Sequence, residues 1–156
     1  MRRHPRGYTI IELLVVMAVL GVLATAAMPL AELAARRSKE RELKQALSEL
    51  RHAIDAYKAA YDGGRVAPAS GASGYPPTLR VLVAGVPDAK AGGQAMYFLR
   101  RVPADPFAPA GVAADTSWGL RSYASPAAQP RPGDDVYDVY SQAPGTGING
   151  VPYGEW

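Results

Sequence analysis

The feature that most constrains this chain is an uncharged run at residues 13–31, LLVVMAVLGVLATAAMPLA. As an α-helix its nineteen residues are about 28 Å long, close to the ~30 Å hydrocarbon core of a bilayer. The helical pattern does not stop there. Leu43, Leu47, Leu50, Ile54, Tyr57 and Tyr61 recur at steps of three and four, while Arg41, Lys44, Glu49, Arg51 and Lys58 fall mainly elsewhere. That spacing predicts one long helix over about residues 9–61 whose second half buries a single face. Glu40 and Lys44 are ordered for an i,i+4 pair on it. Asp62-Gly63-Gly64 supplies the stop.

Composition changes where the helix ends. Of the thirty Gly and Pro residues, twenty-six follow Tyr61, whereas residues 8–61 hold only Gly21 and Pro29. Turn formers at that density predict short elements joined by loops. Residues 63–95 read as a long connection with one short helix near residues 77–83. Two aromatic, β-branched segments, residues 118–123 and 136–140, read as strands of a small antiparallel sheet covering the helix face. With 156 residues there is room for one small domain beyond the apolar run, so the expected fold class is α+β.

Charge and cysteine usage exclude several functions. Arg2, Arg3 and Arg6 sit ahead of residue 8; without them the chain has fourteen basic and fourteen acidic side chains, a net of zero (14 − 14 = 0). No global field then attracts nucleic acid or anionic membrane. The local basic run Arg36, Arg37, Lys39, Arg41 and Lys44 is diluted by Glu40 and Glu42, and no aromatics interleave with it for base stacking, so solvated helix surface beside lipid headgroups accounts for it. With no cysteine there is no disulfide, thiol catalysis or cysteine-based zinc site. His4 and His52 are isolated, and no nucleophile–base motif is present, so the chain is not expected to be an enzyme.

The amino terminus admits three readings. A plain membrane anchor is one. A secretory signal peptide is the second, with a basic start and a cleavage site at Ala24-Thr25-Ala26 that would leave a mature chain beginning at Ala27. Against both stands Glu12 at the head of the apolar run: a carboxylate at the centre of a membrane helix costs about 2.5–3.5 kcal/mol, somewhat less near its end, and usually has a partner or a function.

The third reading comes from resemblance. Gly7-Tyr8-Thr9-Ile10-Ile11-Glu12-Leu13-Leu14-Val15-Val16 resembles the signal of type IV pilins and type II secretion pseudopilins. The resemblance implies a pilin-like fold with a prepilin leader at residues 1–7. Prepilin peptidase would cut after Gly7, with N-methylation of the new terminus at Tyr8. Tyr8 stands where family members usually have Phe. A transmembrane and filament-core helix would span residues 8–34, and a periplasmic head with the second half of the helix residues 35–156. Glu12 would pair with the terminal amine of a neighbouring subunit, and Gly21 and Pro29 match the family's Gly and Pro within the buried helix. Pro29 lacks an amide donor, so a kink or local melt is expected there. Lysine and arginine counts, three before residue 8 and five over residues 36–44, do not by themselves place the leader in the cytoplasm; only the resemblance does.

The head sharpens the resemblance. Tyr75-Pro76-Pro77-Thr78-Leu79, the segment Leu99-Arg100-Arg101-Val102-Pro103-Ala104-Asp105-Pro106-Phe107, and the two strand candidates look like the corresponding stretches of major, G-type pseudopilins. The implied partners are further copies in a helical filament, other pseudopilins, an inner-membrane assembly platform and the prepilin peptidase, with no nucleic acid. The implied role is a pseudopilus driving protein export, lodged in the inner membrane before assembly and in the periplasm afterwards. A type IV or competence pilin, serving adhesion or DNA uptake, is the alternative. G-type members commonly bind calcium in a loop after the last strands. Residues 141–156 hold no Asp, and Ser141, Thr146, Asn149 and Glu155 are a poor oxygen set, since calcium takes six to eight oxygens, several anionic. Asp134, Asp135 and Asp138 are the possible substitute, although a solvated turn entering a strand explains them as well.

Overall fold

The computed structural model describes residues 7–68 and 71–156. The element order is α1 (Ile10–Asp62), α2 (Leu79–Ala84), β1 (Val86–Pro87), β2 (Ala95–Met96), β3 (Trp118–Arg121) and β4 (Asp138–Ser141), with short 3-10 turns at Ala114–Thr116 and Tyr153–Glu155. A long helix followed by a small antiparallel head is the α+β, pilin-like layout that the sequence implies. Two compact units divide the chain, one ending at Ser38 and the other running Lys39–Trp156.

In the first unit the apolar side chains of α1 are open: Ile10, Leu14, Leu20, Leu23 and Leu30 are each more than half exposed. Thr25 satisfies its hydroxyl on its own helix, donating to the Val22 carbonyl at 2.7 Å. Of the kink or local melt expected at Pro29, the melt does not occur: α1 is α-helical on both sides of it without interruption. One missing amide bond is tolerated because each neighbouring residue keeps its own place in the helical ladder.

The Lys39–Trp156 unit holds the core. Leu43, Leu47, Leu50, Ile54 and Tyr57 are buried in the predicted order, joined by Leu79, Leu82, Leu99, Trp118, Val136, Val139 and Tyr153. Leu50 has no exposed surface. Truncating such a residue removes its transfer free energy and leaves a cavity. Leu50→Ala is therefore expected to destabilise this unit by about 2–5 kcal/mol, read from its urea transition. Helix α1 ends as the Asp62-Gly63-Gly64 signal requires: Gly64 takes φ 67°, and the Arg65 amide turns back to the Ala60 carbonyl at 2.9 Å.

Three boundaries differ from expectation. The connection over residues 63–95 carries more than one short helix, because β1 and β2 pair antiparallel as Val86↔Met96 and Pro87↔Ala95. Asp88 organises the intervening turn: its carboxylate accepts the Lys90 amide and the Arg65 guanidinium, and the latter holds it below the usual carboxylate range. Strand β3 stops at Arg121 rather than Tyr123, since the Tyr123 amide is taken by Asp135 Oδ1 at 2.8 Å instead of a ladder carbonyl. Strand β4 begins at Asp138, later than expected, because the Val136 amide pairs with the Pro76 carbonyl outside the sheet. In the β3–β4 ladder Gly119 lies opposite Tyr140, whose ring covers the place a side chain would take.

Arg51 ties helix to sheet. Its Nε donates to Asp138 Oδ1 at 2.8 Å and its Nη2 to the Val139 carbonyl at 3.2 Å. Losing this half-exposed contact (Arg51→Ala) is expected to cost about 1 kcal/mol, far less than the core truncation, measured by the same urea transition.

Candidate functional site

The candidate site begins at the start of α1. Gly7, Tyr8 and Thr9 are non-helical and exposed, and the helix opens at Ile10. Thr9 is the cap that sequence reading passed over: the Glu12 amide donates to its Oγ1 at 3.3 Å, and the Leu13 amide reaches its carbonyl at 3.2 Å. The signal was present, since Thr-x-x-Glu before an apolar run is the capping-box pattern. The cap fixes Glu12 in the first helical turn, where the positive end of the helix dipole favours a carboxylate. Tyr8 is 80% exposed, leaving room around the residue that would carry a new amine.

Further along, a side chain built on Gly21 would meet nothing within 4 Å. Packing inside the chain thus gives no reason for glycine there, although glycine in a helix costs about 0.5–1 kcal/mol relative to alanine. A close neighbour from outside the chain would supply one. Arg2, Arg3, His4 and Arg6 lie outside the described residues.

The four calcium candidates are engaged separately. Ser141 is buried and its Oγ donates to Asp105 Oδ2; Thr146 pairs with Pro152 in an isolated bridge; Asn149 Oδ1 accepts the Val151 amide at 3.2 Å. Glu155 lines a surface groove with Lys44 and Trp156. Two members of the substitute set are likewise engaged, Asp138 with Arg51 and Arg121. Burial would raise Asp135, but hydrogen bonds from Ser73, the Tyr123 amide and Ser122 outweigh it and hold the carboxyl below its ordinary range. Among the described residues, no group of three or more His, Cys, Asp or Glu side chains is placed to hold a metal ion.

What organises residues 141–156 is instead Glu40, assigned from sequence only to a surface pair. It is 9% exposed, and its Oε1 accepts the Ile148 amide at 2.9 Å and the Tyr153 hydroxyl at 3.0 Å. Donors aimed inward at a carboxylate are the opposite polarity from a calcium loop, which aims carbonyls and carboxylates inward. Around it Phe107 stacks on Tyr153 at 4.4 Å and Tyr153 meets Trp156 edge-on at 5.2 Å. Lys44 sits over the Trp156 ring at 4.6 Å and Lys39 over Phe107 at 5.8 Å. His52 bonds within its own helix, with Nδ1 2.6 Å from the Ser48 carbonyl oxygen.

Helix α1 contains the one stretch among the described residues that is long and apolar enough to cross a membrane, with mean hydropathy 2.5 in its best window. No curated protein and no solved structure is significantly similar to the chain. Residues 2–28, which include Gly7, Tyr8, Glu12 and Gly21, match the family described as the prokaryotic N-terminal methylation motif, and this is the mark of a prepilin-like amino terminus.

Proposed function

We propose that the chain is a pseudopilin: inserted as a single-span precursor, cut after Gly7, methylated on Tyr8, and assembled through α1 into a periplasmic pseudopilus that drives protein export by a type II secretion system. The observation that carries this reading is the methylation motif at residues 2–28, joined to a capped helix whose apolar residues over 10–30 are exposed. Neighbouring copies and an inner-membrane assembly platform would cover them. Glu12 has the chemistry to set the step between copies, since its carboxylate can pair with the amine created on a neighbour's Tyr8 where water is scarce. The role is mechanical, with Gly21 and Pro29 serving repacking between membrane and filament.

A type IV or competence pilin shares every step up to assembly. Deleting the gene separates the two: loss of exoprotein release supports the pseudopilin, and loss of DNA uptake or adhesion the alternative. Processing is tested by intact mass of membrane-extracted protein. A chain starting with N-methyl-Tyr8 is expected; one starting at Met1 or Ala27 overturns the proposal.

A further inference from the structure

Three tyrosine rings of the Lys39–Trp156 unit pack on one another. Tyr75 and Tyr123 stack with centroids 5.5 Å apart, and Tyr137 meets them edge-on at 5.0 and 5.5 Å. The face of such a ring is negative and attracts cations. For two of the three rings that attraction is answered from within the chain. Lys58 Nζ lies 5.6 Å from the centre of Tyr75 and is held by the Asp62 carboxylate. The Arg121 guanidinium lies 4.9 Å from the centre of Tyr137, with Asp138 Oδ2 3.9 Å away. Both places follow one recipe, a cation over the ring with a carboxylate beside it.

Tyr123 has the ring and the carboxylates without the cation. Its amide donates to Asp135 Oδ1 at 2.8 Å, and Asp134 is the neighbouring residue on the same turn. Asp134 is exposed, and no group among the described residues pairs with it. Tyr123 is 62% exposed, and no lysine or arginine among the described residues lies over it.

Space and charge agree with a cationic occupant. Tyr61, Tyr75, Tyr123, Asp134 and Asp135 line a cavity of about 590 Å³, within the size range of ligand sites. No basic side chain among the described residues lines it, so its lining carries a net of −2 (0 − 2 = −2). Of the cations near it, Lys58 is engaged by Asp62, and Arg131 turns its Nη2 to Gln129 Oε1 at 3.3 Å on its own loop. Guanidinium suits the place better than ammonium. It is planar and weakly hydrated, so it can stack on a ring while its N–H groups reach a carboxylate. Arg121 is used in this way on Tyr137.

We propose that Tyr123 with Asp134 and Asp135 is a docking site for an arginine side chain of a partner protein, the guanidinium lying over the ring and its N–H groups facing the two carboxylates. The site lies wholly within the Lys39–Trp156 unit, so it stands apart from processing and from assembly through α1.

The full chain, in neutral detergent with its tyrosine rings isotopically labelled, is titrated with a blocked glycine–arginine–glycine peptide and followed by NMR. Saturable shifts are expected, largest at Tyr123. Citrulline in place of the peptide's arginine, which removes only the charge, is expected to abolish them, and lysine to weaken binding. Tyr123→Leu is expected to raise Kd about three- to tenfold. Asp134→Asn, at an exposed and unpaired position, is expected to raise it about two- to fivefold and to leave folding alone. Absence of a saturable shift at Tyr123, equal binding of the citrulline peptide, or an affinity unmoved by Asp134→Asn overturns the proposal. Shifts at Tyr123 produced by phosphatidylethanolamine vesicles and not by the peptide assign the site to a lipid amine and overturn it. Shifts that grow with protein concentration alone assign it to a second copy, which overturns it too.

Discussion

Glu40→Ala is expected to free residues 141–156 from α1 and to lower the stability of the head by about 2–5 kcal/mol. The Ile148 amide and the Tyr153 hydroxyl both donate to this carboxylate, and Tyr153 is 4% exposed. A buried donor stripped of its acceptor costs about 1–3 kcal/mol, and two are stripped together. Total stabilities of small domains run only about 5–15 kcal/mol, so the loss is visible as a large shift in the urea midpoint and as early proteolysis after β4. Glu40→Gln keeps one carbonyl acceptor and is expected to cost less. We further propose that the loop needs no calcium, because it closes on a protein carboxylate. Chelation is then expected to leave the wild-type transition in place, and a transition raised by millimolar calcium would sink that part.

The second large effect is on assembly. Glu12→Gln is expected to leave cleavage after Gly7 and folding of the head intact, yet to reduce filament formation more than tenfold. Thr9 still caps the helix, since the bond runs from the backbone amide of residue 12. What disappears is the negative charge able to pair with a neighbour's Tyr8 amine. An uncompensated ion away from water costs several kcal/mol, and each 1.4 kcal/mol is about tenfold in an equilibrium. Cross-linking between copies in membranes, scored beside intact mass, measures both halves. Tyr8→Phe, which keeps the ring and the amine, is expected to assemble normally. Normal assembly of Glu12→Gln would mean that apolar packing alone sets the register.

How much of this was legible in sequence follows from the range of each interaction. The face Leu43, Leu47, Leu50, Ile54 and Tyr57 is written in a local period, so the core side of α1 could be read directly. The helix stop at Asp62-Gly63-Gly64 is equally local. Thr9 was readable too, from the Thr-x-x-Glu spacing. Glu40 was not: its partners lie 108 and 113 residues away, and beside Lys44 it looks like half of a surface pair. Strands β1 and β2 are two residues each and one contains Pro87, so neither periodicity nor propensity marks them. The shifted ends of β3 and β4 have one cause, since turn residues such as Asp135 and Pro76 capture amides that a longer ladder would have used.

The position of Thr9 has a consequence for maturation. Its oxygens receive the first bonds of α1, and it lies two residues beyond Gly7. A protease cutting between Gly7 and Tyr8 would therefore cut ahead of the helix and sever no helical hydrogen bond. The cap stays with the product, so precursor and mature protein would share one and the same helix. On the proposed processing, maturation would change only what precedes the cap: a basic tail would be exchanged for a single amine, and the subunit would enter assembly without refolding.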